Sequence, residues 1–221
     1  HLAAKFDVNI LGGDTTRSEI DLIINVVVHG TAAKDQLMCR DAAKPGDIIF
    51  STGYLGDSRA GLHLILNNLP VDSTEMQALY RAHVLPEPQL CEGRFLADQS
   101  GIRAAIDISD GLSADLGHIA EQSAVGARIY ASELPMSDSL QKFCAAFGFD
   151  PLEYALRGGE DYTLLCTAAA EKAAEIAQKF QKEFKRPLYR IGEMTADNRL
   201  EIIYPDGISK PISPRGWDHF K

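Results

Sequence analysis

The chain has 221 residues, of which 45% are hydrophobic and 24% are charged. This length suffices for one large domain, or for a domain and part of another, and the composition excludes an intrinsically disordered chain. The formal net charge is -9 and the sequence contains no basic patch, so we expect neither nucleic acid nor a membrane surface as a partner.

Location and completeness are indicated by several simple features. The four cysteines are widely spaced and form no zinc-ligand pattern, which is typical of reduced cytosolic thiols. No apolar run approaches the roughly 18 residues of a membrane span, and no signal-peptide pattern opens the chain, so we expect a cytoplasmic protein. The chain starts at His1 in what looks like the interior of an element, and we therefore expect a fragment of a longer protein.

The first predicted elements are two strands. An almost unbroken aliphatic run at 21–29 is typical of a strand buried on both faces. A second strand is predicted at 47–52, after a Lys-Pro-Gly turn at 44–46. A glycine-containing loop at 53–56 then leads into a helix at 57–66.

Helical and extended patterns alternate through the rest of the chain, with a proline-bearing extended segment at 83–88. Further helices are predicted at 74–82, 89–98, 137–146 and 173–184, and further strands at 103–108, 126–131, 162–167, 188–194 and 200–204. This order indicates a mixed α/β domain over 35–221, preceded by a remnant of another domain at 1–34.

One more helix is predicted to begin near Asp110 or Gly111. Its apolar stripe consists of Leu112, Leu116, Ile119 and Ala120, which recur at helical spacing. Asp115, His118 and Glu121 lie off this stripe. The pattern therefore places a helix directly after the predicted strand at 103–108.

A double glycine followed by an aspartate occurs at Gly12-Gly13-Asp14, before the predicted strand at 21–29. Glycines let a backbone approach a ligand closely, and Asp14 would then project a carboxylate toward it. An ordinary turn with a cap explains the same residues. The spacing alone does not decide between the two.

Two aspartates, Asp107 and Asp110, bracket the junction between the predicted strand at 103–108 and the helix after it. Ser109 or Asp110 could simply cap that helix. In the functional interpretation, the helix N-terminus offers backbone N–H groups to a phosphate. Carboxylates beside it would repel the phosphate unless a divalent cation lay between them. Both interpretations are compatible with the residues.

Two glycine motifs lie in the second half of the chain. RGGEDY at 157–162 is a charged double-glycine turn that enters a strand, and a plain loop turn is the alternative. GWDHF at 216–220 contains the only tryptophan, Trp217. This side chain either pins the tail to the core or offers a flat face to an aromatic or cationic ligand.

Other familiar signatures are absent or incomplete. The chain contains no P-loop, no dinucleotide GxGxxG, no GxSxG and no HExxH. GYLGDS at 53–58 resembles a phosphate loop but lacks its lysine, which favours a structural turn from strand to helix. No partner spacing distinguishes His29, His63 and His83, so these are interpreted as ordinary histidines.

Taken together, six motifs in order resemble the thiamine-monophosphate kinase family, within the wider superfamily of aminoimidazole-ribonucleotide synthetase-like proteins. They are GGDTTRS at 12–18, AKPGD at 43–47, TGYLGDSRAG at 52–61, DISDGLSADLGHIA at 107–120, RGGEDY at 157–162 and GWDHF at 216–220. The resemblance runs the length of the chain. It implies the C-terminal domain of that α/β fold, a mixed sheet with packed helices.

The resemblance also implies an activity, namely in-line transfer of the γ-phosphoryl group of ATP to thiamine monophosphate, giving thiamine diphosphate. Both partners are phosphate anions, so several Mg2+ ions are expected to neutralise their repulsion. A strong general base is unnecessary because the acceptor oxygen is already anionic. Carboxylates should therefore dominate the site.

Residue roles follow from the positions that match the family's motifs. ATP contacts are implied for Gly13, Asp14, Arg40 and Ser109. Metal ligation is implied for Asp14, Asp107 and Asp110, of which the last two are also the catalytic candidates. Contacts to the thiamine moiety are implied for Glu160 and Trp217.

The departure from the family is the missing N-terminal domain, of which only the last helix and strand, within 1–34, are expected here. That domain would supply further acidic ligands and the interface of a homodimer, so full activity of this chain alone is not implied. Two alternatives remain open, an ATP-using synthetase of the same superfamily with another acceptor, and a non-catalytic nucleotide-binding module.

Overall fold

The computed structural model describes residues 2–214, and the chain forms two compact units that divide between Leu37 and Met38. The first unit contains a one-turn helix, α1 (Leu2–Lys5), a short 3-10 turn at Lys34–Gln36 and otherwise irregular backbone. The interpretation of 1–34 as the end of an ATP- and metal-binding domain stays a prediction.

The predicted strand at 21–29 is wrong. Its backbone is irregular, and its aliphatic side chains are exposed, with Val28 at 82%. A strand is stabilised by hydrogen bonds to a neighbouring strand, and within the described residues this segment pairs with none. The segment is apolar, as its sequence indicates, but an apolar composition does not provide the neighbouring strand that pairing requires.

The second unit is built on one seven-stranded mixed sheet, in the order β2-β4-β1-β5-β3-β6-β7. Its strands are β1 (Ile48–Ser51), β2 (Ile102–Asp107), β3 (Gly126–Tyr130), β4 (Leu164–Ala168), β5 (Tyr189–Thr195), β6 (Leu200–Ile203) and β7 (Ser209–Pro211). All neighbours run antiparallel except β3 and β6, which are parallel. The prediction of a mixed α/β fold is confirmed.

Seven helices of this unit are described. They are α2 (Asp57–Leu66), α3 (Thr74–Val84), α4 (Leu90–Ala97), α5 (Leu112–Ser123), α6 (Asp138–Phe147), α7 (Pro151–Arg157) and α8 (Ala170–Phe184). No helix was predicted at α7, although Asp150 accepts a hydrogen bond from the Leu152 N–H at 2.9 Å and Pro151 occupies the first turn. None of the described helices combines the length and apolar character needed to cross a bilayer.

Neighbouring residues of a strand point to opposite faces of the sheet. Both faces of this sheet carry apolar side chains, and helices cover both. Ile49 packs in a core cluster with α5, whereas Phe50, the next residue, packs in a second cluster with α4 and α8. A third cluster joins α2, α3 and α6 around Phe143. The strand β2 ends at the margin of this core, which places Asp107 at the surface while Ile108 is fully buried.

Candidate functional site

The loop between β2 and α5 carries the acidic motif and is held from one side by the segment before β4. The Ile108 N–H donates to the Thr163 carbonyl at 2.8 Å, and the Tyr162 N–H donates to the Ile108 carbonyl at 2.9 Å. These two bonds extend the pairing of β2 with β4 beyond the strand ends. The backbone that carries Asp107 and Asp110 is therefore fixed by the sheet.

Asp115, for which no role was predicted, holds the same loop from the other side. Asp115, in the first turns of α5, is buried, and its Oδ2 accepts from the N–H groups of Asp110 and Gly111, each at 3.1 Å. Burial raises the pKa of Asp115 to about 6; the Asp110 and Asp107 carboxylates also raise it, and the two backbone donors lower it. In the sequence, this role was indicated only by an acidic residue in the first turn of the helix. Its contact with the N–H of the N-cap residue is similar to that of the acidic residue in a capping box.

The alternative in which Ser109 or Asp110 caps α5 does not hold. The N-cap is Gly111, and within residues 2–214 neither side chain hydrogen-bonds to the first turn of the helix. The Asp110 side chain is instead available to the adjoining cavity.

That cavity has a volume of about 680 Å³ and brings together four of the residues predicted to form the site: Arg40, Asp107, Ser109 and Asp110. Asp115 and His118 also line it. Arg40 comes from the segment before β1, which is fastened to the end of α5. The Ser123 hydroxyl donates to the Arg40 carbonyl at 2.9 Å, and the Ala43 N–H donates to the Ser123 hydroxyl at 3.1 Å. One guanidinium and several carboxylates thus share one cavity.

The RGGEDY loop lies directly against the acidic loop. The Glu160 N–H donates to the Ser109 carbonyl at 2.7 Å. A Cβ at position 159 would lie 2.6 Å from that carbonyl, so only glycine permits the approach. Glu160 and Tyr162 have φ of 62° and 51°, a left-handed conformation that costs a residue with a side chain about 1 kcal/mol or more. Tertiary contacts must hold the loop in this form.

Asp161 supplies one of those contacts. Its carboxylate accepts from the N–H groups of Gly56 at 2.8 Å and Ser58 at 3.3 Å, at the start of α2. Burial raises the pKa of Asp161 to about 8, and the nearby Asp57 adds to this while the two backbone donors oppose it. Two N–H groups that a phosphate would need are already used, which agrees with the interpretation of 53–58 as a structural turn.

The chemistry of the donors fits a hard divalent cation. Within the described part of the chain, neither Asp107 nor Asp110 lies within ion-pair distance of a basic side chain. Asp110, Asp115 and His118 each offer one ligand atom, and these atoms lie within 4.8 Å of one another. Mg2+ prefers carboxylate oxygens over imidazole, which favours Asp110 and Asp115 within this group; both backbone hydrogen bonds of Asp115 are accepted by its Oδ2.

Three predicted site residues do not belong to this description. Gly13 and Asp14 are exposed residues of the first unit, where the Asp14 carboxylate accepts from the Thr15 N–H at 2.8 Å. Trp217 lies outside the described residues. The site above is therefore built from the second unit alone.

Comparisons with known proteins indicate the family to which the chain is similar. The sequence pattern of the family described as AIR synthase related protein, C-terminal domain, matches residues 44–205. Thiamine-monophosphate kinase of Escherichia coli K12 is 38% identical over 97% of this chain, and that of Bacillus subtilis is 35% identical over 100% of it. The chain spans 64% of the E. coli protein and 67% of the B. subtilis protein.

A solved structure described as AaThiL complexed with AMPPCP and TMP is also similar. It is 36% identical, superposes with a TM-score of 0.70, and matches 83% of this chain and 54% of its own. Both the sequence and the fold of the second unit therefore have relatives among these proteins.

Proposed function

The chain belongs to the thiamine-monophosphate kinase family of AIR synthase related proteins, and we propose that it takes part in transferring the γ-phosphoryl group of ATP to thiamine monophosphate. The products would be thiamine diphosphate and ADP. Because the chain spans less than two thirds of its E. coli relative, this activity is proposed for the natural protein that contains it.

The observation that carries this proposal is the hydrogen bond of 2.7 Å between the Glu160 N–H and the Ser109 carbonyl. It joins the loop at 107–111, which fits a divalent cation, to the loop at 157–162, to which the motif resemblance assigns the acceptor. A kinase needs its two substrates side by side. These two loops are in direct contact although some 50 residues separate them along the chain.

For the ATP side, we assign Arg40 and Ser109 to nucleotide contacts and Asp107 and Asp110 to magnesium. Bound Mg2+ supplies positive charge that screens the two phosphates from each other and from the carboxylates. The guanidinium of Arg40, which lines the cavity, would bind phosphate oxygens, since its planar donors match the geometry of a phosphate. Asp115 would keep the loop in place through its two backbone hydrogen bonds.

Further assignments concern residues outside this cavity. Gly13 and Asp14 are proposed to contact ATP, with Asp14 as an additional magnesium ligand. Glu160 and Trp217 are proposed to bind the thiamine moiety. The Glu160 carboxylate would accept hydrogen bonds from the N–H groups of the aminopyrimidine ring, and Trp217 would stack on a ring. The acceptor phosphate is already anionic, which makes direct in-line attack feasible without a strong base.

We also propose a cytoplasmic homodimer as the natural form. The net charge of -9 argues against nucleic acid as a partner.

The decisive experiment incubates the natural protein with Mg-ATP and thiamine monophosphate and measures thiamine diphosphate by chromatography. We expect product that depends on ATP and on magnesium. A matched reaction with unphosphorylated thiamine tests the acceptor. ATP consumption without thiamine diphosphate, or no consumption at all, would refute the proposed kinase activity.

A further inference from the structure

The carboxylate of Glu160 lies against His83, a histidine for which no partner was predicted. The His83 Nδ1 is 3.3 Å from the Glu160 Oε2 and 3.0 Å from the hydroxyl of Ser58. The Glu160 side chain is 52% exposed, whereas the His83 side chain is 17% exposed and Ser58 is almost fully buried. A firmly held imidazole thus meets a carboxylate that reaches into solvent.

The Nδ1 atom has two neighbours of different character. The Ser58 hydroxyl can either donate to Nδ1 or accept from it, depending on the tautomer of the ring. A carboxylate accepts hydrogen bonds only, so Glu160 is a partner for the form of the ring in which Nδ1 carries a proton. In that form His83 presents an N–H group to Glu160 at 3.3 Å.

The position of the imidazole is set by the close packing of α2 on α3. A Cβ at Gly61 of α2 would lie 2.1 Å from the Leu79 carbonyl and 2.9 Å from the His83 Cβ, so the two helices meet with no side chain between them. His83 lies in the last turn of α3, beside Ser58 in the first turn of α2. Little room is left for the ring to move.

Glu160 is consequently held at both of its ends. Its backbone N–H donates to the Ser109 carbonyl of the acidic loop, and its carboxylate lies within ion-pair distance of His83 of α3. Among residues 2–214, His83 is the one basic side chain within ion-pair distance of Glu160. A long, half-exposed side chain without such a contact would sample several rotamers and lose entropy on binding a ligand.

We propose that His83 is a positioning residue that orients the Glu160 carboxylate toward the N–H groups of the acceptor's aminopyrimidine ring. The proposal rests on the function proposed above, in which Glu160 contacts the thiamine moiety. His83 acts through Glu160 and touches no reacting atom. It therefore contributes to the selection of the acceptor and not to the transfer step.

The test compares three substitutions at position 83 in the natural protein. Asparagine places an amide N–H near the position of Nδ1, glutamine places it near Nε2, and leucine removes the donor. We expect His83→Leu and His83→Gln to raise the KM for thiamine monophosphate about tenfold, with kcat and the KM for ATP changed less than about twofold. We expect His83→Asn to restore most of the affinity.

A matched control is His63 of α2, whose Nδ1 is 3.4 Å from the Tyr154 hydroxyl and whose ring packs on Phe143 and Phe149. His63→Asn should leave the ratio of the two KM values unchanged. In addition, His83→Leu combined with Glu160→Ala should be no worse for the acceptor than Glu160→Ala alone, because both changes remove one coupled unit.

Two outcomes would overturn the positioning role. One is an unchanged KM for thiamine monophosphate in His83→Leu. The other is a uniform loss, in which kcat and both KM values change together and His83→Asn is no better than His83→Gln, as expected if His83 only packs α3 onto α2.

Equilibrium binding of thiamine monophosphate without ATP separates this inference from the kinase proposal. Weaker binding in His83→Leu than in the parent protein supports the inference even if no thiamine diphosphate is formed. Absence of binding to the parent protein would overturn both.

Discussion

Asp161 offers a sharp test of how this site is held together, because two opposing effects act on its carboxyl group. Burial raises its pKa to about 8, while the N–H groups of Gly56 and Ser58 favour the charged form. With a folded-state pKa above the usual 3.8, the folded protein binds a proton that the unfolded chain releases. Asp161 thus adds stability that is fully present below pH 4 and is lost as the pH rises through about 8.

The perturbation is Asp161→Asn, which keeps the shape and one oxygen acceptor but cannot ionise. Between the two pKa values, one proton changes the free energy of unfolding by at most about 1.4 kcal/mol per pH unit. We therefore expect the variant to gain stability relative to the parent protein as the pH rises from 5 to 8. The measurement is urea unfolding of both proteins at pH 5, 6, 7 and 8.

Asp197→Asn provides the control for this series. Hydrogen bonds from Arg199 and Thr195 lower the pKa of the exposed Asp197 carboxyl. This group therefore stays ionised from pH 5 to 8 in both the folded and the unfolded state. The difference in the free energy of unfolding between Asp197→Asn and the parent protein should not vary with pH. The same flat result for Asp161→Asn would show that Asp161 is ionised throughout and that its backbone hydrogen bonds outweigh its burial.

Three further predictions concern the proposed chemistry. Asp110→Asn should remove most kinase activity while circular dichroism and the melting temperature stay near parental values, and wild-type turnover would contradict its assignment to magnesium. Asp115→Ala should lower the free energy of unfolding by about 1–3 kcal/mol, because the part-buried Asp110 N–H and the buried Gly111 N–H lose their acceptor. It should also raise the magnesium concentration needed for half-maximal activity, and an unchanged magnesium requirement would show that the loop keeps its form unaided. Trp217→Ala should raise the KM for thiamine monophosphate more than that for ATP, and equal effects in steady-state kinetics would favour tail packing.

The elements of the second unit were largely predictable because their patterns are local. The apolar stripe of α5, for instance, is confirmed by the burial of Leu112, Leu116 and Ile119. The segment at 21–29 has an equally strong pattern and forms no strand, since pairing depends on a partner that the pattern does not encode. Local periodicity therefore predicts elements best where the neighbouring element is also present.

The candidate site was predictable in part, for a similar reason. Asp107, Ser109 and Asp110 stand in one short motif, and the structure places them with Arg40 at one cavity. Nothing local identifies Asp161 or His83, whose partners lie 105 and 77 residues away in the chain. Such contacts become visible only when the fold brings α2, α3 and the RGGEDY loop together.

Asp110 does not cap α5, whose N-cap is Gly111, and Asp115 holds the acidic loop instead. From the sequence, Asp110 could serve either as the cap of a helix or as a ligand, and a single carboxylate does not do both freely. Asp115 takes the backbone N–H groups of Asp110 and Gly111 for itself. Because Asp115 holds the loop through these two N–H groups, the Asp110 side chain, which has no hydrogen bond or ion pair within the described residues, has no structural bond to give up on binding a cation. A side chain that forms no structural bonds needs little rearrangement to bind a ligand, which supports the proposed role of the loop at 107–111 in binding magnesium and phosphate.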